Sequence, residues 1–405
     1  MRKLVTRGLI FSLCATTAIY ASGYKIPEQS LNSVSLSAAY VANANGADAS
    51  YYNPANMVWN DDASLMEFGL TYINLPKVDY TDSRSSLYDG ESKDEQFLLP
   101  TLHFSSKDQG GWRYGVSVTA PGGLSKRWDT TYQKAYAQEF TLKVIEVNPT
   151  FAYKVNDKFA IGGGLRVVYS DGIVKSSSTV SRDMTGDSID FGYNLALSYR
   201  PVDGLKLATT YRSKVDLTIK GSADLYYGAY PMYSGGARVT IPLPAVWSMA
   251  AAYTFKKRTT VEFVYERTYW SSYKNLDFNY DADIGALAPY FDAPIPKNWE
   301  DTNTFRIGIT HQYSDKLKLM AGFAIDKTPI PSQTLGFELP DADAKLYSLG
   351  FEYQYSKKVS FGMGYLYDDK EDRTITASDA NENGIDGTFT HIRAHLLTVS
   401  LKYRF

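Results

Sequence analysis

Hydrophobic and polar residues alternate along most of the chain from about residue 63 to the C-terminus. One segment places Met66, Phe68, Leu70 and Tyr72 on a single face, and similar segments of about ten residues follow one another, separated by turns. Because successive side chains of a β-strand point to opposite sides, each segment predicts a strand with one apolar face. Later apolar faces include Phe159, Ile161, Leu165, Phe191, Leu195, Met249, Tyr253, Ile307, Leu349 and Phe351. We therefore expect an all-β chain.

Short and long connections alternate between these strands. The short ones are residues 106–110, 156–157, 201–204, 256–257, 314–315 and 356–357. The long ones are residues 75–95, 121–139, 172–188, 215–240, 268–302, 327–343 and 369–390. This asymmetry is typical of outer-membrane barrels, which have short periplasmic turns and longer outer loops. The pattern predicts a transmembrane antiparallel β-barrel of about 14 strands over residues 61–405, with both termini in the periplasm.

Aromatic residues lie close to each short connection, at Phe104, Tyr153, Tyr199, Tyr253, Tyr313 and Tyr355. Barrels place such amphipathic rings in girdles at the membrane interfaces, and the chain contains 33 Tyr. A soluble β-sandwich also alternates, but it explains neither this placement nor the pattern of connections. Beyond the first residues no apolar run reaches the roughly 18 residues of a membrane helix, which excludes a helical membrane protein.

The first 21 residues have the organisation of an export signal. Arg2, Lys3 and Arg7 precede an apolar run over residues 9–18, and a small-residue cleavage site follows at Ala21. The run is shorter than the roughly 20 residues that a membrane-spanning helix needs. We expect residues 1–21 to be a signal peptide that is removed, and we expect the mature protein in the bacterial outer membrane.

Composition narrows the chemistry of the mature chain. The single cysteine, Cys14, lies in the signal, so disulfides, zinc–thiolate sites and cysteine nucleophiles are excluded. Removal of three basic residues with the signal leaves 39 basic and 44 acidic residues, a formal charge of −5. This net negative charge does not favour binding to nucleic acid.

Residues 22–60 differ from the rest of the chain, because they are rich in Ala, Ser, Asn and Gly and contain no long alternating strand. They also carry apolar side chains that a free polar tail would lack, among them Tyr24, Ile26, Leu31, Val34 and Tyr40. A barrel of about 14 strands has a lumen too wide for its own side chains to fill. We therefore predict that residues 22–60 form a plug, or hatch, inside the barrel.

Motifs in this segment resemble the hatch of the FadL family of long-chain fatty-acid transporters (OmpP1/FadL/TodX type). They are residues 22–30 (SGYKIPEQS), 38–40 (AAY) and 48–57 (DASYYNPANM), in which Asn-Pro-Ala matches the family's hatch signature. Further landmarks follow in family order at residues 148–157, 211–213, 220–221, 243–247, 270–271, 329–331 and 339–341. The resemblance covers most of the mature chain.

The resemblance implies import of long-chain fatty acids or similar hydrophobic molecules, without catalysis and without a cofactor. In the family, substrate is captured at the outer loops, passes to a pocket in the barrel and leaves sideways into the membrane at a kinked third strand, as the hatch moves. Expected partners are the hydrophobic ligand, outer-membrane lipid and the barrel assembly machinery, which would recognise the alternating last strand ending at Phe405. We expect a monomer.

Two short motifs are candidates for gating. The first matches the hatch signature and is expected to lie against the third-strand kink: Asn53, Pro54 and Ala55. Asn-Pro is, however, a turn dipeptide in any protein. The second ends the predicted third strand: Pro121, Gly122 and Gly123. Proline removes a ladder donor and glycine permits unusual dihedral angles, so we expect either a local opening or simply the end of the strand.

Two lysines are candidates for binding a carboxylate head group. Lys297 aligns with a family lysine that helps to bind the substrate's carboxylate, whose tail would lie on apolar walls. A lysine in a polar loop is otherwise merely solvated. The family's partner arginine on the fifth strand is not reproduced, and Lys175 is the nearest substitute. Uncharged hydrophobic or aromatic compounds therefore stay open as an alternative substrate class.

Apolar side chains complete the predicted site. Tyr24 and Ile26 are expected to reach the ligand pocket, as the family's hatch terminus does, or else only to pack the plug. The connection between the predicted seventh and eighth strands forms an adaptable apolar surface suited to capturing a hydrophobic molecule. Its candidate residues are Tyr226, Tyr230 and Met232. Loop packing would explain these three residues as well.

Other functional classes fit the residues poorly. His391 and His395 form an HxxxH motif, but four residues along a strand span about 13 Å, too far to share a metal. The loop at residues 379–386 resembles the start of a calcium site, yet Thr390 stands where the closing Glu belongs, so ordinary turn chemistry is the default. A lipase or protease would need a nucleophile beside an oriented histidine, and an open porin would conduct ions. We expect no enzyme and no metal.

Overall fold

A barrel of 14 antiparallel strands forms the body of the protein. The computed structural model describes residues 23–405, so the predicted signal peptide at residues 1–21 lies outside the described residues. The strands are β1 (Leu65–Leu75), β2 (Glu95–Ser105), β3 (Trp112–Arg127), β4 (Glu139–Lys154), β5 (Phe159–Ser177), β6 (Val180–Tyr199), β7 (Leu205–Arg212 and Val215–Tyr227), β8 (Tyr230–Leu243 and Val246–Phe255), β9 (Thr259–Thr268), β10 (Thr302–Gln312), β11 (Leu317–Asp326), β12 (Ala344–Gln354), β13 (Val359–Lys370) and β14 (Arg393–Arg404).

The sheet closes on itself. β1 pairs on one side with β2 and on the other with β14, where Leu65 lies opposite Arg404. Pairings between successive strands complete the circle. A bilayer requires such closure because lipid cannot hydrogen-bond an open sheet edge. The predicted all-β barrel of about 14 strands is confirmed.

Within residues 23–405, no helix is both long and apolar enough to cross a membrane.

The predicted apolar faces point away from the lumen. Phe68, Leu165 and Phe191 are 50%, 66% and 72% exposed, whereas the alternate positions Thr71 and Ser400 are buried. Exposed aromatic rings also lie beside the short turns, as at Tyr199, Tyr253, Tyr313 and Tyr355. Since outward side chains of a spanning barrel meet lipid, this sorting follows directly from the alternation in the sequence.

The short turns lie where the sequence places them, but three predicted loops are wrong in extent. Residues 172–188 and 215–240 are largely strand, in the hairpins β5–β6 and β7–β8. The predicted loop at residues 121–139 is shorter, because β3 continues to Arg127. Above the membrane a strand no longer has one face toward lipid, so the alternation that marks a strand in the sequence disappears.

The outer loops pack together on an aromatic core. Four short strands, Asp79–Asp82, Gly90–Glu91, Arg373–Ile375 and Gly387–Thr390, form a small sheet. Near this sheet the ring of Phe337 lies 5.5 Å from those of both Trp128 and Phe389, and the Trp128 indole N–H donates to the Phe337 carbonyl at 2.9 Å. These three rings are fully buried. The loops therefore form a packed cap rather than free tails.

Residues 23–60, called the N-terminal segment below, lie inside the barrel. They form α1 (Leu31–Ser35), α2 (Ala49–Tyr52) and a 3-10 helix at Pro54–Trp59. Helix α1 contacts β11 to β14, whereas the 3-10 helix contacts β3 to β6. A segment that touches opposite walls occupies the lumen.

Buried polar contacts hold the N-terminal segment to the wall. The Lys25 ammonium lies 2.5 Å from a Glu266 carboxylate oxygen on β9, and Arg306 on β10 lies 3.1 Å from the same oxygen. Glu262, also on β9, accepts the backbone N–H groups of Val41 and Ala42 at 2.7 and 2.6 Å. At the end of the barrel that carries the short turns and the C-terminus, a vestibule of about 860 Å³ is lined in part by charged side chains, among them Lys318, Glu352 and Lys402. Its charged lining is unsuited to a hydrophobic ligand.

Candidate functional site

The barrel wall is interrupted between β2 and β3. Backbone pairing joins residues 102–105 of β2 to residues 115–118 of β3. Farther along, among the described residues, no backbone pairing links residues 96–101 to residues 119–124. We call this interruption the wall gap. It leaves backbone groups of both strands without their usual ladder partners.

The wall gap coincides with an irregularity in β3. The register between β3 and β4 shifts between Thr119 and Gly122, although the pairing continues on both sides of the shift. Pro121 lies within this shift and has no N–H to donate. The structure thus places a bulge at Ala120 and Pro121, whereas Gly122 and Gly123, also predicted as part of the third-strand kink, pair regularly with β4.

The N-terminal segment fills the wall gap. The Ile26 N–H donates to the Pro121 carbonyl and the Gly123 N–H donates to the Tyr24 carbonyl, both at 2.9 Å. The Gln29 side chain accepts the Ala120 N–H and donates to the Ala120 carbonyl, both at 2.8 Å. Residues 24–29 therefore bond the backbone of β3 at Ala120, Pro121 and Gly123, beside the wall gap.

Tyr24 stands in an aromatic cluster beside this contact. Its ring centroid lies 4.8 Å from that of Trp270, 5.4 Å from that of Trp299 and 6.1 Å from that of Tyr273. Its hydroxyl donates to the Pro242 carbonyl at 2.5 Å. Burial raises the pKa of the Tyr24 hydroxyl well above its ordinary value, so this group remains a neutral donor.

Lys297 lines a small cavity next to Tyr24. The cavity, about 20 Å³, is lined by Tyr24, Tyr273, Trp299, Lys297 and Glu338 together with apolar side chains. Lys297 is only 3% exposed, and its ammonium binds the Glu338 carboxylate. The interpretation of Lys297 as a merely solvated loop residue is therefore wrong. We call this space the head-group cavity, after the role proposed for it below.

Two further cavities lie near the head-group cavity, and one of them shares part of its lining. An outer cavity of about 30 Å³ shares Phe140, Leu142 and Ile241 with it and is largely apolar. An inner cavity of about 70 Å³ is lined by Ile26 and Pro121, at the wall gap. Each is far smaller than the roughly 300–1,000 Å³ of a typical ligand pocket. Binding of a complete long-chain molecule therefore requires the N-terminal segment or the loops to move.

Lys175 lies outside these cavities. Its ammonium binds the Asp183 carboxylate across the β5–β6 hairpin at 2.9 Å, and its side chain is one-third exposed. None of the three cavities described above has Lys175 in its lining. The structure therefore does not bring Lys175 together with Lys297.

Arg182 is a candidate that reasoning from the sequence missed. It lies on β6 directly opposite Ser176, so the hairpin register places an arginine beside the position where the family's arginine was sought on the fifth strand. Its guanidinium carbon lies 5.0 Å from the centroid of the Phe278 ring and within electrostatic range of Glu338. Within residues 23–405 its buried Nε has no hydrogen-bond partner and the side chain forms no ion pair. Arg182 could have been identified only from the register of β5 with β6, which places it opposite Ser176.

Tyr226, Tyr230 and Met232 lie at the tip of the β7–β8 hairpin. Tyr230 is 73% exposed and Met232 is 48% exposed, whereas Tyr226 is half-buried. Loop packing thus does not explain Tyr230 and Met232. They form an apolar patch on the outer side of the protein.

The position predicted for Asn53, Pro54 and Ala55 is wrong. Ala55 and Pro54 pack against the backbone of Gly162 on β5, and the Asn53 side chain donates to the Val41 carbonyl at 3.0 Å. The third-strand kink is contacted instead by residues 24–29. The physical reason is length: the kink lies close to the start of the N-terminal segment, whereas Asn-Pro-Ala follows two further helices and packs at another point of the wall.

Gly162→Ala is expected to displace the Asn-Pro-Ala turn. An added Cβ would lie 2.5 Å from the Ala55 nitrogen and 2.8 Å from the Pro54 carbonyl carbon, and backbone atoms cannot move aside cheaply. We expect a loss of about 1–3 kcal/mol in the free energy of unfolding, measured by guanidinium titration in detergent. The matched control is Gly172→Ala on the same strand, whose Cβ meets only the end of Ile219 at 3.3 Å. Equal losses of unfolding free energy in both variants would contradict the packing of Pro54 and Ala55 against Gly162.

The loop at residues 379–386 is held by hydrogen bonds to its neighbours. The amide nitrogen atoms of Asn381 and Asn383 donate to the Leu335 carbonyl, both at 3.0 Å, and Asp379 accepts the N–H of Thr376. Among residues 23–405, no three His, Cys, Asp or Glu side chains are placed to hold a metal ion. His391 and His395 bond different partners, Asp79 and Tyr365.

Comparison with known proteins assigns the family. The family model described as outer membrane protein transport protein (OMPP1/FadL/TodX) matches residues 12–405. The long-chain fatty acid transport protein of Escherichia coli K12 is 25% identical over 412 residues, covering 87% of this chain and 89% of that one. A FadL homologue of Pseudomonas aeruginosa has a TM-score of 0.82 at 19% identity, covering 94% and 99% of the two chains. The toluene transporter TodX of P. putida has a TM-score of 0.72 at 17% identity, covering 93% and 99%.

The closed barrel, the segment in its lumen and the family match over nearly the whole sequence agree. The chain therefore belongs to the family of outer membrane transport proteins that includes OmpP1, FadL and TodX.

Proposed function

We propose that the protein imports long-chain fatty acids, or hydrophobic molecules of similar shape, across the outer membrane. The observation that carries this proposal is the buried Lys297 ammonium beside apolar cavities, with the Arg182 guanidinium nearby. A fatty acid has the complementary chemistry, a carboxylate on a long apolar chain. The similarity to the E. coli long-chain fatty acid transport protein supports the same substrate class.

The proposed route runs from the outer loops to the membrane. The ligand is captured at the patch formed by Tyr230 and Met232, and it enters the outer cavity with its head group toward Lys297. It leaves sideways through the wall gap when residues 24–29 release β3. Tyr24 and Ile26, which line the head-group and inner cavities, would then act as the moving part. No step needs catalysis.

At the head-group cavity, the ligand would compete with Glu338 for Lys297. Glu338 is partly exposed and can turn toward solvent, whereas the Lys297 ammonium is buried and needs an anionic partner. An incoming carboxylate would satisfy this need and could also bond Arg182. The buried Trp299 indole N–H, which has no partner among the described residues, is a further donor in the lining.

Uncharged hydrocarbons are the second candidate substrate class. The observation in their favour is that Lys297 is already neutralised by Glu338, and Lys175 by Asp183, so neither lysine needs an anionic ligand for charge balance. The similarity of the fold to that of TodX, a toluene transporter, supports this class. A direct comparison of charged and uncharged ligands decides between the two classes.

Lys297→Met is expected to weaken fatty-acid binding about tenfold to one-hundredfold, because a charge-assisted hydrogen bond contributes about 1.5–3 kcal/mol. Methionine keeps an unbranched side chain of similar length, so the cavity retains its shape. The measurement is a titration of purified protein in detergent with a long-chain fatty acid and with an uncharged hydrocarbon of equal length.

Binding of the uncharged hydrocarbon serves as the control and should not change in Lys297→Met. Lys297→Arg keeps the positive charge and should retain most of the fatty-acid affinity. Arg182→Met should show a smaller loss for the acid only. If Lys297→Met leaves the fatty-acid affinity unchanged, the head-group assignment fails and the uncharged class is favoured.

Export and assembly of the protein involve the two ends of the chain. We infer that residues 1–21 are removed on export and that the mature monomer is assembled through its last strand. Phe405 supports the proposed role of the last strand, because its backbone bonds Ser64 twice at 3.0 Å while its ring stays 55% exposed. We also propose that the protein is not an enzyme: His391 uses the same Nδ1 atom toward Asp79 and Thr390, so it cannot relay a proton between them. Labelling by a serine-reactive probe would contradict this.

A further inference from the structure

A group of buried carboxyl side chains surrounds residue 28 of the N-terminal segment. Glu28, Asp326 on β11 and Asp368 on β13 are each only 1% exposed, and the charges of Asp326 and Glu28 both act on Asp368. Four of their buried oxygens have no hydrogen-bond partner among residues 23–405: Glu28 Oε1, Asp326 Oδ2, Asp368 Oδ1 and Asp368 Oδ2. An ionised carboxylate in such surroundings is costly unless a positive charge or a donor compensates it.

Nearby cations supply only part of that compensation, because each of them is bound more closely to another carboxylate. Lys25 and Arg306 both bind Glu266, at 2.5 and 3.1 Å. Lys370 binds Asp341 at 2.8 Å and stands 3.9 Å from Asp368. The charged groups near the three carboxyl side chains are three cations and two further carboxylates: Lys25, Arg306, Lys370, Glu266 and Asp341. The nearby His103 ring bonds the Gln29 carbonyl at 2.9 Å and faces no carboxylate of the group.

The missing positive charge is best supplied by protons. Carboxylates outnumber cations here, and no three of them within the described chain are placed to hold a metal ion. Burial raises the pKa of Glu28 from 4.5 to about 7, against the opposing influence of Arg306 and Lys25. A carboxyl with such a pKa holds a proton at mildly acidic pH.

We propose that Glu28, Asp326 and Asp368 form a proton-binding site that couples the seating of residues 24–29 in the wall gap to pH. Glu28 lies between Ile26, which bonds Pro121, and Gln29, which bonds Ala120. Loss of the proton leaves excess negative charge around Glu28 and pushes it from the wall. The contacts that fill the wall gap then weaken together.

The direction of the pH dependence follows from the raised pKa of Glu28. The seated segment binds the proton more tightly than the released one, so seating is fully stabilised below about pH 4.5. The stabilisation falls as the pH rises from about 4.5 to about 7, and above that range Glu28 is ionised in both states. Release of residues 24–29 is thus favoured at neutral and alkaline pH. This inference does not depend on which substrate is transported.

Hydrogen exchange of the whole mature protein in detergent tests the proposal. The protection factor of the Ile26 amide, corrected for the intrinsic pH dependence of exchange, should fall about tenfold to one-hundredfold between pH 4.5 and pH 7.5. In Glu28→Gln, which keeps the shape without the titration, it should stay constant. Asp368→Asn should shift the fall to lower pH. The Tyr355 amide, bonded to the Val359 carbonyl in a short turn of the barrel, is the internal control and should not respond.

Three outcomes would overturn the proposal. The first is an Ile26 protection factor in the unmodified protein that does not change with pH. The second is a fall of unchanged size and midpoint in Glu28→Gln. The third is protection restored at pH 7.5 by calcium, which would identify a metal ion and not a proton as the ligand. Should Glu28→Gln fail to fold, Asp326→Asn supplies the same comparison from the barrel side.

Discussion

Glu266→Leu is expected to unseat the N-terminal segment and open the barrel to ions. Glu266 is the acceptor shared by Lys25 and Arg306, whose side chains are 8% and 0% exposed. Removing it leaves two buried cations without their partner, which costs about 3–5 kcal/mol for a buried pair. Since Lys25 belongs to the segment that fills the wall gap, much of this cost falls on the seated state. The measurement is single-channel conductance in planar bilayers, which should rise from near zero to frequent openings.

Two variants control this experiment. Glu266→Gln keeps the shape and a carbonyl oxygen but loses the charge, so it should give an intermediate frequency of openings. Glu262→Gln changes a neighbouring inward carboxylate on the same strand whose partners include backbone N–H groups of residues 41–43. The amide oxygen can still accept from those groups, and conductance should stay close to that of the unmodified protein. If Glu266→Leu conducts as little as Glu262→Gln, the ion pairs of Glu266 with Lys25 and Arg306 do not hold the N-terminal segment in place.

A disulfide between positions 25 and 122 is expected to abolish transport reversibly. Lys25 and Gly122 form an antiparallel bridge flanked by hydrogen bonds on both sides. Such a non-hydrogen-bonded pair has its Cα atoms about 4.5 Å apart, within the range that a disulfide spans. Lys25→Cys with Gly122→Cys would tie the segment to β3. The uptake of labelled fatty acid by cells should fall at least about tenfold under oxidising conditions and recover with a reductant.

No native thiol is expected to interfere with the engineered disulfide. The single cysteine, Cys14, lies in the predicted signal peptide, so the mature protein offers no competing thiol. The matched control is Lys25→Ser with Gly122→Ser, which loses the Lys25 ion pair but cannot be cross-linked. Uptake by this control should not respond to oxidant or reductant. Full uptake by the oxidised cysteine variant would show that residues 24–29 need not leave β3 during transport.

The barrel itself was predictable because membrane strands obey a simple local rule. Phe68 and Leu165 face outward and Thr71 faces inward, as the alternation indicates. The rule fails above the membrane: the polar residues at 172–188 and 215–240 form strand, although they were predicted as loop. There the strands are specified by pairing with their neighbours, which a single sequence does not show.

The candidate site was predictable only in part. The resemblance pointed to Lys297, but its pairing with Glu338, its burial and its position beside Tyr24 arise from contacts between distant parts of the chain. Arg182 was missed because its significance depends on lying opposite Ser176. Asn53, Pro54 and Ala55 were assigned to the third-strand kink, whereas they pack on Gly162.

The sequence by itself determined the class of structure and the presence of a distinct segment before the barrel, since these depend on periodicity, turn residues and composition within short windows. The tertiary structure alone decided which residues meet in the lumen. Lys25 reaches Glu266 across 241 residues, and Glu28 is surrounded by carboxyl groups from strands late in the chain. Such contacts depend on strand register and on how the N-terminal segment fits the closed barrel, and both are properties of the whole chain.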